Sequence, residues 1–362
     1  LSINYLDGNA IISDGEYRFS VTNNGGNDVY YQIRLTDISG YDSHVTYSLT
    51  SNDTSVSVGD KTLSESDNIV MDNVLITSLD TQNFTLQVRN NTSTNFKIEI
   101  KKIDDIEEYF YMTVLKNNEI KESSISKVGV EVSTTSEGLI SSVDDDGASY
   151  YFRGDINNNY VSFAGLTWRI IRINGDGTVR LVLDGVADTL SNYNTDNEGY
   201  EDFTKTDIQE SLNSFYESNL KSYEASIANT RFCSEYGKTD DTYNAYTRIV
   251  TNEIPTLNCL GDRYTSRIGL LTADEVVYAG GLYKEENTDY YLYNEEIENL
   301  WWTMSLAKLS DEEFYPFLVN ESGELIDNIN GSLYRSLRPV ISLNRTVIVT
   351  GTGTLDDPYV VS

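Results

Sequence analysis

The chain has a single histidine, His44, two cysteines, Cys233 and Cys259, and only four prolines in 362 residues. It has no run of about 18 apolar residues, so nothing in it reads as a membrane-spanning helix. No leader-type segment opens it. It begins at Leu1 rather than Met, which reads as a mature or trimmed product whose leader was removed. These shortages exclude whole classes of chemistry. His44 has no carboxylate or cysteine at ligand spacing, so neither a zinc framework nor a nucleophile–base pair can be assembled around it. GxSxG, HExxH and phosphate-cradling glycine loops are absent. Basic residues are scarce too: 26 Lys and Arg against 57 Asp and Glu give a net charge of −31. With no basic stripe the chain reads as binding neither nucleic acid nor anionic lipid. The surplus of acid reads as a solubilising surface. Two-carboxylate glycoside chemistry stays open on residue types alone, because 57 acids offer too many candidate pairs. The reading is nonetheless a protein without catalytic residues, cofactor or metal.

What is abundant is strand and turn chemistry. There are 27 tyrosines, with Thr, Ser, Asn and Val in company. Residues 1–103 alternate apolar and polar at Tyr17 to Thr22, Tyr30 to Leu35, Val45 to Leu49, Asn83 to Val88 and Phe96 to Ile100. Turn clusters such as Asn23-Asn24-Gly25-Gly26 separate them, which predicts an antiparallel β-sandwich. Residues 104–147 read as a connecting helix over 104–118, with Ile106, Phe110 and Val114 on one face and acids in the first turn, followed by a polar linker over Lys121 to Gly147 with room for one strand. The run Asp144-Asp145-Asp146-Gly147 within it is read as linker rather than a calcium loop: adjacent carboxylates cannot converge on one ion, and no downstream Glu completes the set.

Residues 148–362 carry the strongest patterns. Tyr150 to Gly185 reads as three strands: YYFRG, the long apolar run Tyr160 to Ile173, and Thr178 to Asp184. Asn174-Gly175-Asp176-Gly177 is the hairpin between the last two. Asn194, Asp196, Glu198 and Gly199 echo a calcium loop, but Lys205 stands where its final Glu belongs, so an exposed loop is expected. Residues 204–229 read as helix, with Ile208, Leu212, Phe215, Leu220 and Tyr223 inward, Thr206 or Asp207 as cap, and Glu210 placed to complete a box with Asp207. Asn219 is a candidate break. In Arg267 to Gly281 a strand runs into a helix capped by Thr272, with Glu275 three residues on. Cys233 and Cys259 lack any metal-site or redox-motif spacing. One disulfide is the simplest reading, worth roughly 3 kcal/mol in the chain-entropy model.

The ordered set YYFRGD, NNYVSFAG, TWRIIRINGDGTVRL, NTRFC, GLLTADEVVYAGG, WWTMS, LRPVISL and GTGTLDDPY resembles a largely uncharacterised family of surface proteins of low-GC Gram-positive bacteria. The WWTMS and LRPVISL pair is also similar to the ends of C-type-lectin-like and formylglycine-enzyme-like domains. That resemblance implies a tryptophan strand and an RPV strand paired in the core, with the loops between them forming a ligand face. A formylglycine-type activity is not expected, because the cysteines lie outside the WW–RPV segment. FSVTNNGGNDVYYQIRLTDI resembles immunoglobulin-like modules of the camelysin and TasA type. The resemblances imply a mainly β chain of two domains: an immunoglobulin-like sandwich over 1–103 and an α+β domain of C-type-lectin-like type over 148–362. The expected role is extracellular adhesion at a cell surface, with a glycan or protein as ligand. Candidate ligand-binding residues are Tyr315, Asn320, Tyr334 and Arg335 in the segment Leu306 to Ser336, where Phe314 and Phe317 are expected in the core. The alternative is a fibre or biofilm-matrix subunit that self-associates by inserting residues 1–13 as a donor strand into a neighbour.

Overall fold

The structure is a computed structural model of the chain and describes all residues except 52, 54–57, 67, 104–107, 123–136, 196–201 and 362. The protein is mainly β, with several largely antiparallel sheets. It divides into two compact units, Leu1–Glu107 and Glu108–Ser362.

In the first unit, β1 (Ser2–Tyr5), β2 (Ala10–Ile11), β3 (Gly15–Thr22), β4 (Val29–Ser39), β5 (Thr46–Ser51), β6 (Val58–Thr62), β7 (Asn68–Ile76), β8 (Thr81–Arg89) and β9 (Asn95–Ile103) form two sheets. Their orders are β1-β3-β8-β5-β6 and β2-β9-β4-β7. Alternating residues of both sheets meet in one core, with Phe19, Val21 and Phe84 from the first and Ile33, Leu35, Phe96 and Ile98 from the second. All five strands expected from alternation are present, within β3, β4, β5, β8 and β9. Strand β7 escapes that reading because Asp72-Asn73 breaks its alternation. Asn73 sits at φ 51°, and the ladder to β4 shifts register there, so a bulge absorbs the extra polar residue. The N-terminal segment is divided between the sheets: β1 pairs with β3, β2 pairs with β9, and Ile11 is fully buried. His44 is exposed, and its ring Nδ1 lies 2.7 Å from Asp42 Oδ1.

The second unit opens with α1 (Phe110–Asn117), β10 (Ile120–Lys121), β11 (Gly138–Asp144), β12 (Gly147–Arg153), β13 (Tyr160–Phe163), β14 (Leu166–Ile173) and β15 (Val179–Leu183). It continues with α2 (Asp207–Asn219), β16 (Thr230–Cys233), β17 (Lys238–Thr239), β18 (Thr242–Tyr243), α3 (Asn244–Tyr246), β19 (Arg263–Ser266) and α4 (Ala273–Ala279). The last strands are β20 (Leu282–Tyr283), β21 (Trp301–Ser310), β22 (Glu313–Val319), β23 (Glu324–Ile326), β24 (Val340–Leu343), β25 (Val349–Thr350) and β26 (Tyr359–Val361). Strands β10 to β15 with β24, β25 and β26 make the larger sheet, and β17, β18, β21, β22, β23 and β20 a second one. Strands β16 and β19 pair as a separate ribbon. Trp168, Trp302, Phe314 and Phe317 all belong to a single buried cluster.

Several expectations change here. The helix expected over 104–118 is α1, which is shorter. Tyr109 precedes it without a side-chain cap, no acid lies in its first turn, and Phe110 and Val114 are its buried residues. Residues 104–107, including Ile106, lie outside the described residues. The stretch read as a linker with room for one strand holds β11, which pairs with β12 over its whole length. The apolar run Tyr160 to Ile173 is two strands rather than one. Ala164 and Gly165 take φ 55° and 73°, the two left-handed residues of a tight hairpin, and β13 folds back on β14. A continuous apolar run conceals such a turn because both strands are buried. In α2 the cap is Thr206, whose side chain accepts from Gln209 N. The box expected between Asp207 and Glu210 does not form, because the Asp207 carboxylate instead accepts from Thr195 and Asn192. At α4 the Thr272–Glu275 capping box forms in full. The WWTMS and RPV strands do not pair: β21 pairs with β22 and β18, and β24 pairs with β15. They meet through a bridge between Trp301 and Ser336 and through the Arg338 guanidinium, 5.0 Å from the Trp301 ring centre. Arg338 of the RPV motif is buried and donates to the carbonyls of Leu183, Asp184 and Leu292, so it fastens loop backbone rather than facing a ligand.

Candidate functional site

The segment Leu306 to Ser336, expected to be rich in loops, divides between strand and loop: the end of β21, then β22 and β23, followed by loop from Asp327 to Ser336. Phe314 and Phe317 are fully buried. Tyr315 lies on β22 with its hydroxyl on Glu313 at 3.0 Å and the Lys308 ammonium 5.5 Å from its ring centre. Asn320 follows the far end of the same strand, and five residues of strand span about 16 Å. Its side chain is consumed by the turn it closes: Oδ1 accepts from Ser322 N and Glu324 N, and Nδ2 donates to Glu324. Asn320 therefore shapes a turn, and these two residues do not form one contact surface. Tyr334 and Arg335 are different. Leu333 and Tyr334 are 45% and 61% exposed, side by side. The loop carrying them is fixed by Leu333 N to Asn330 O, and by paired backbone bonds between Arg335 and Ser191. Leu190, next to that bridge, is exposed as well. The Arg335 guanidinium donates to Tyr334 O at 2.6 Å and braces the loop.

The described residues of the 188–201 loop, up to Thr195, include buried Ser191, Asn192 and Asn194; Asp196, Glu198 and Gly199 lie outside the described residues. Among the described residues no group of three or more metal-ligating side chains converges.

A second constellation, not singled out from the sequence, sits behind the disulfide. Cys233 and Cys259 are bonded, with Cα atoms 5.5 Å apart. The bond joins the end of β16 to the loop that leads into β19. Behind it lies a cavity of about 50 Å³ walled by Arg172, Arg180, Arg231, Arg248 and Arg263. Each member of the Asp144-Asp145-Asp146 run reaches a different arginine: Asp144 pairs with Arg172, Asp145 with Arg263, and Asp146 with Arg231. Asp145 also accepts from Cys259 N. Gly175 completes this corner, because its N–H donates to Asp144 and a Cβ there would lie 2.5 Å from the Asp146 carbonyl carbon.

Deeper in, Arg172 and Arg180 stand directly opposite each other on β14 and β15, a like-charge pair that destabilises a bare sheet. Glu275, at the start of α4, lies between them, 2.6 Å from Arg180 and 3.4 Å from Arg172. Burial pushes the Glu275 carboxyl up, but the two guanidinium groups outweigh it and hold it below the usual glutamate range. For Asp144 burial wins over Arg172, and its carboxyl is raised. Arg248 forks onto Glu235 and Asp274, donating to both oxygens of each at 2.8–3.1 Å. Arg172 lies two residues before Asn174 and Arg180 three after Gly177, so a four-residue turn read from sequence sets Arg172 opposite Val179; the observed register, with Ile173 opposite Val179, is what brings the two arginines together.

Comparison with protein-family models, with curated proteins and with solved structures finds no match to this chain. The chemistry must be judged from the site itself. Five guanidinium groups meet six carboxylates, so the cluster carries no surplus positive charge to attract an anion. Its cavity has room for only about three to five waters. It acts as a lock, fastening the β11–β12 turn, the β14–β15 hairpin, the disulfide loop and α4 to one another. Mass spectrometry of the non-reduced protein is expected to recover Cys233 and Cys259 in linked peptides. Reduction is expected to lower stability by about 3 kcal/mol, the chain-entropy value for a loop of this length. Two freely alkylated thiols in protein folded under oxidising conditions would contradict the pairing.

Proposed function

We propose that the chain is an extracellular, cell-surface binding protein, with an immunoglobulin-like first unit and a C-type-lectin-like second unit that recognises a glycan or protein. The observation that carries this reading is the Leu333–Tyr334 pair: two large apolar side chains exposed together on a loop whose backbone is fixed on both sides. A rigid, exposed tyrosine offers contact area and a hydroxyl at low entropic cost, and held loops bind without a large ordering penalty. The disulfide supports an oxidising compartment. Among the described residues no helix is long and apolar enough to cross a membrane.

The test is an array of glycans and host proteins probed with the full chain. A paired Leu333→Ala, Tyr334→Ala variant is expected to fold normally and to lose about tenfold or more in affinity for whatever the parent binds, as truncation of central aromatic anchors does. Unchanged affinity would place the ligand elsewhere. The fibre reading draws on one feature, that β1 is a four-residue strand at a sheet edge, laddered to β3. It requires that strand to be released from its own unit, and filaments in negative-stain images would support it over the binding reading.

A further inference from the structure

On the other side of the disulfide segment from the arginine cluster, the chain forms an open cleft of about 540 Å³. The main-chain order explains the separation: Cys233 and Glu235 line the arginine cavity, whereas Ser234 and Tyr236 line the cleft. Asp202 and Thr204 form one wall, Tyr236 and Lys238 another, and Asp262 the rim. The size lies within the range of clefts that hold small ligands.

The walls are held independently of any ligand. Ser234 N donates to Asp262 O, and Asn244 N donates to Gly237 O. The Tyr236 hydroxyl accepts from Phe203 N. Tyr264 is stacked between Phe203 and Phe232, with centroids 5.3 and 5.7 Å away, and its hydroxyl donates to Gln209 at 3.2 Å. The Cys233–Cys259 bond fixes the segment that separates cleft from cavity.

Within this rigid frame some polar groups remain uncommitted. The Asp262 carboxylate makes no hydrogen bond or ion pair among the described residues, and the exposed Lys238 ammonium meets only the face of Tyr243 at 5.7 Å. The lining charges cancel, with Asp202 and Asp262 against Lys238 and Arg263. A strongly anionic or cationic ligand would find as much repulsion as attraction. An extended peptide would need a run of free backbone groups, but the sheet edge here, β17, is two residues long. A neutral ligand rich in hydroxyls suits what is present: a carboxylate accepts from hydroxyls, an ammonium donates to them, and the half-buried Tyr236 ring offers an apolar wall.

We infer that this cleft is a saccharide-binding site, with Asp262 and Lys238 as the hydrogen-bonding pair at its rim. The inference goes beyond the binding reading above: it is a second site, lined by none of the Leu333–Tyr334 loop. The test titrates the full chain with glucose, galactose, N-acetylglucosamine and β-linked oligomers of each, following heat or saturation-transfer signals. At least one neutral sugar is expected to bind. Asp262→Ala and Lys238→Ala are each expected to weaken it by about tenfold, the loss of a hydrogen bond to a charged group. Both residues are exposed, so the variants are expected to keep the parent's melting temperature. The inference is overturned if no neutral sugar binds, if glucuronate or glucosamine is preferred to glucose, or if the Asp262 and Lys238 variants bind as the parent does. Array binding that depends on Tyr334, together with sugar titrations that Asp262→Ala leaves unaltered, would overturn the saccharide cleft while leaving the binding reading standing.

Discussion

Replacing Glu275 by alanine is expected to cost about 3–5 kcal/mol of folding stability, the range for breaking a buried ion pair by removing one partner. The size follows from what is left behind. Arg180 is 2% exposed, Arg172 lies opposite it on the neighbouring strand, and Glu275 is the carboxylate between them. The same side chain accepts from Thr272 N, so the capping box of α4 is lost too. Glu275→Gln keeps the shape and part of the cap but not the charge, and is expected to recover less than half of the loss. The parent also carries a signature in acid. The folded-state pKa of Glu275 is depressed, so its contribution is fully present above the unfolded value, near 4.5, and disappears as pH falls through the folded value. Stability measured by urea unfolding is expected to decline below about pH 4.5 more steeply in the parent than in Glu275→Gln. A cost under about 1 kcal/mol for Glu275→Ala would show that the two arginines find other partners or solvent.

Trp168→Ala is expected to be comparably severe, at about 3–5 kcal/mol. Trp168 is fully buried on β14, opposite Val161 on one side and Leu183 on the other. It shares a core with the WWTMS strand, but its ladder partners are β13 and β15. Its indole N–H donates to Phe163 O at 3.1 Å, just before the Ala164-Gly165 turn. Truncation therefore leaves a large void and removes one hydrogen bond to the carbonyl at which the hairpin reverses. Trp168→Phe separates the two, since it keeps most of the volume and loses only the donor, and it is expected to cost about 1–2 kcal/mol. A loss below about 1 kcal/mol for the alanine variant would mean that this strand is not core.

What was legible in the sequence is what local rules determine. Alternation at Tyr17 to Thr22 or Phe96 to Ile100 needs only its own pleat to announce a half-buried strand. Thr272 and Glu275 announce a helix start from four residues. Asn174 to Gly177 announces a hairpin. The misreadings share a different cause. Ala164 at positive φ carries no compositional mark, so a buried hairpin passed for one strand. Asn320 has the residue type of a ligand contact, but its hydrogen bonds are spent on its own turn, which only the backbone path reveals. The arginine cluster was hidden most completely, because its members come from four separate stretches of chain. Of the expected ligand face, the structure leaves Tyr334 most available to solvent, with Arg335 bracing it, and separates both in kind from Asn320.

The three consecutive aspartates at the β11–β12 turn also set a schedule. Their partners lie 28, 85 and 114 residues further along the chain. As the polypeptide emerges, Asp144 can be matched once the β14–β15 hairpin exists, but Asp146 must wait for Arg231 and Asp145 for the loop around Cys259. Until then the turn is a knot of mutual repulsion that opposes tight closure of the hairpin bearing it. The corner of the second unit that looks most local in sequence is thus among the last to settle, and maturation of this unit belongs with slow folders dominated by distant pairings, on the order of milliseconds to seconds. Premature oxidation of Cys233 with a cysteine of another chain would strand those carboxylates unpaired, so the order of synthesis and the order of oxidation have to agree.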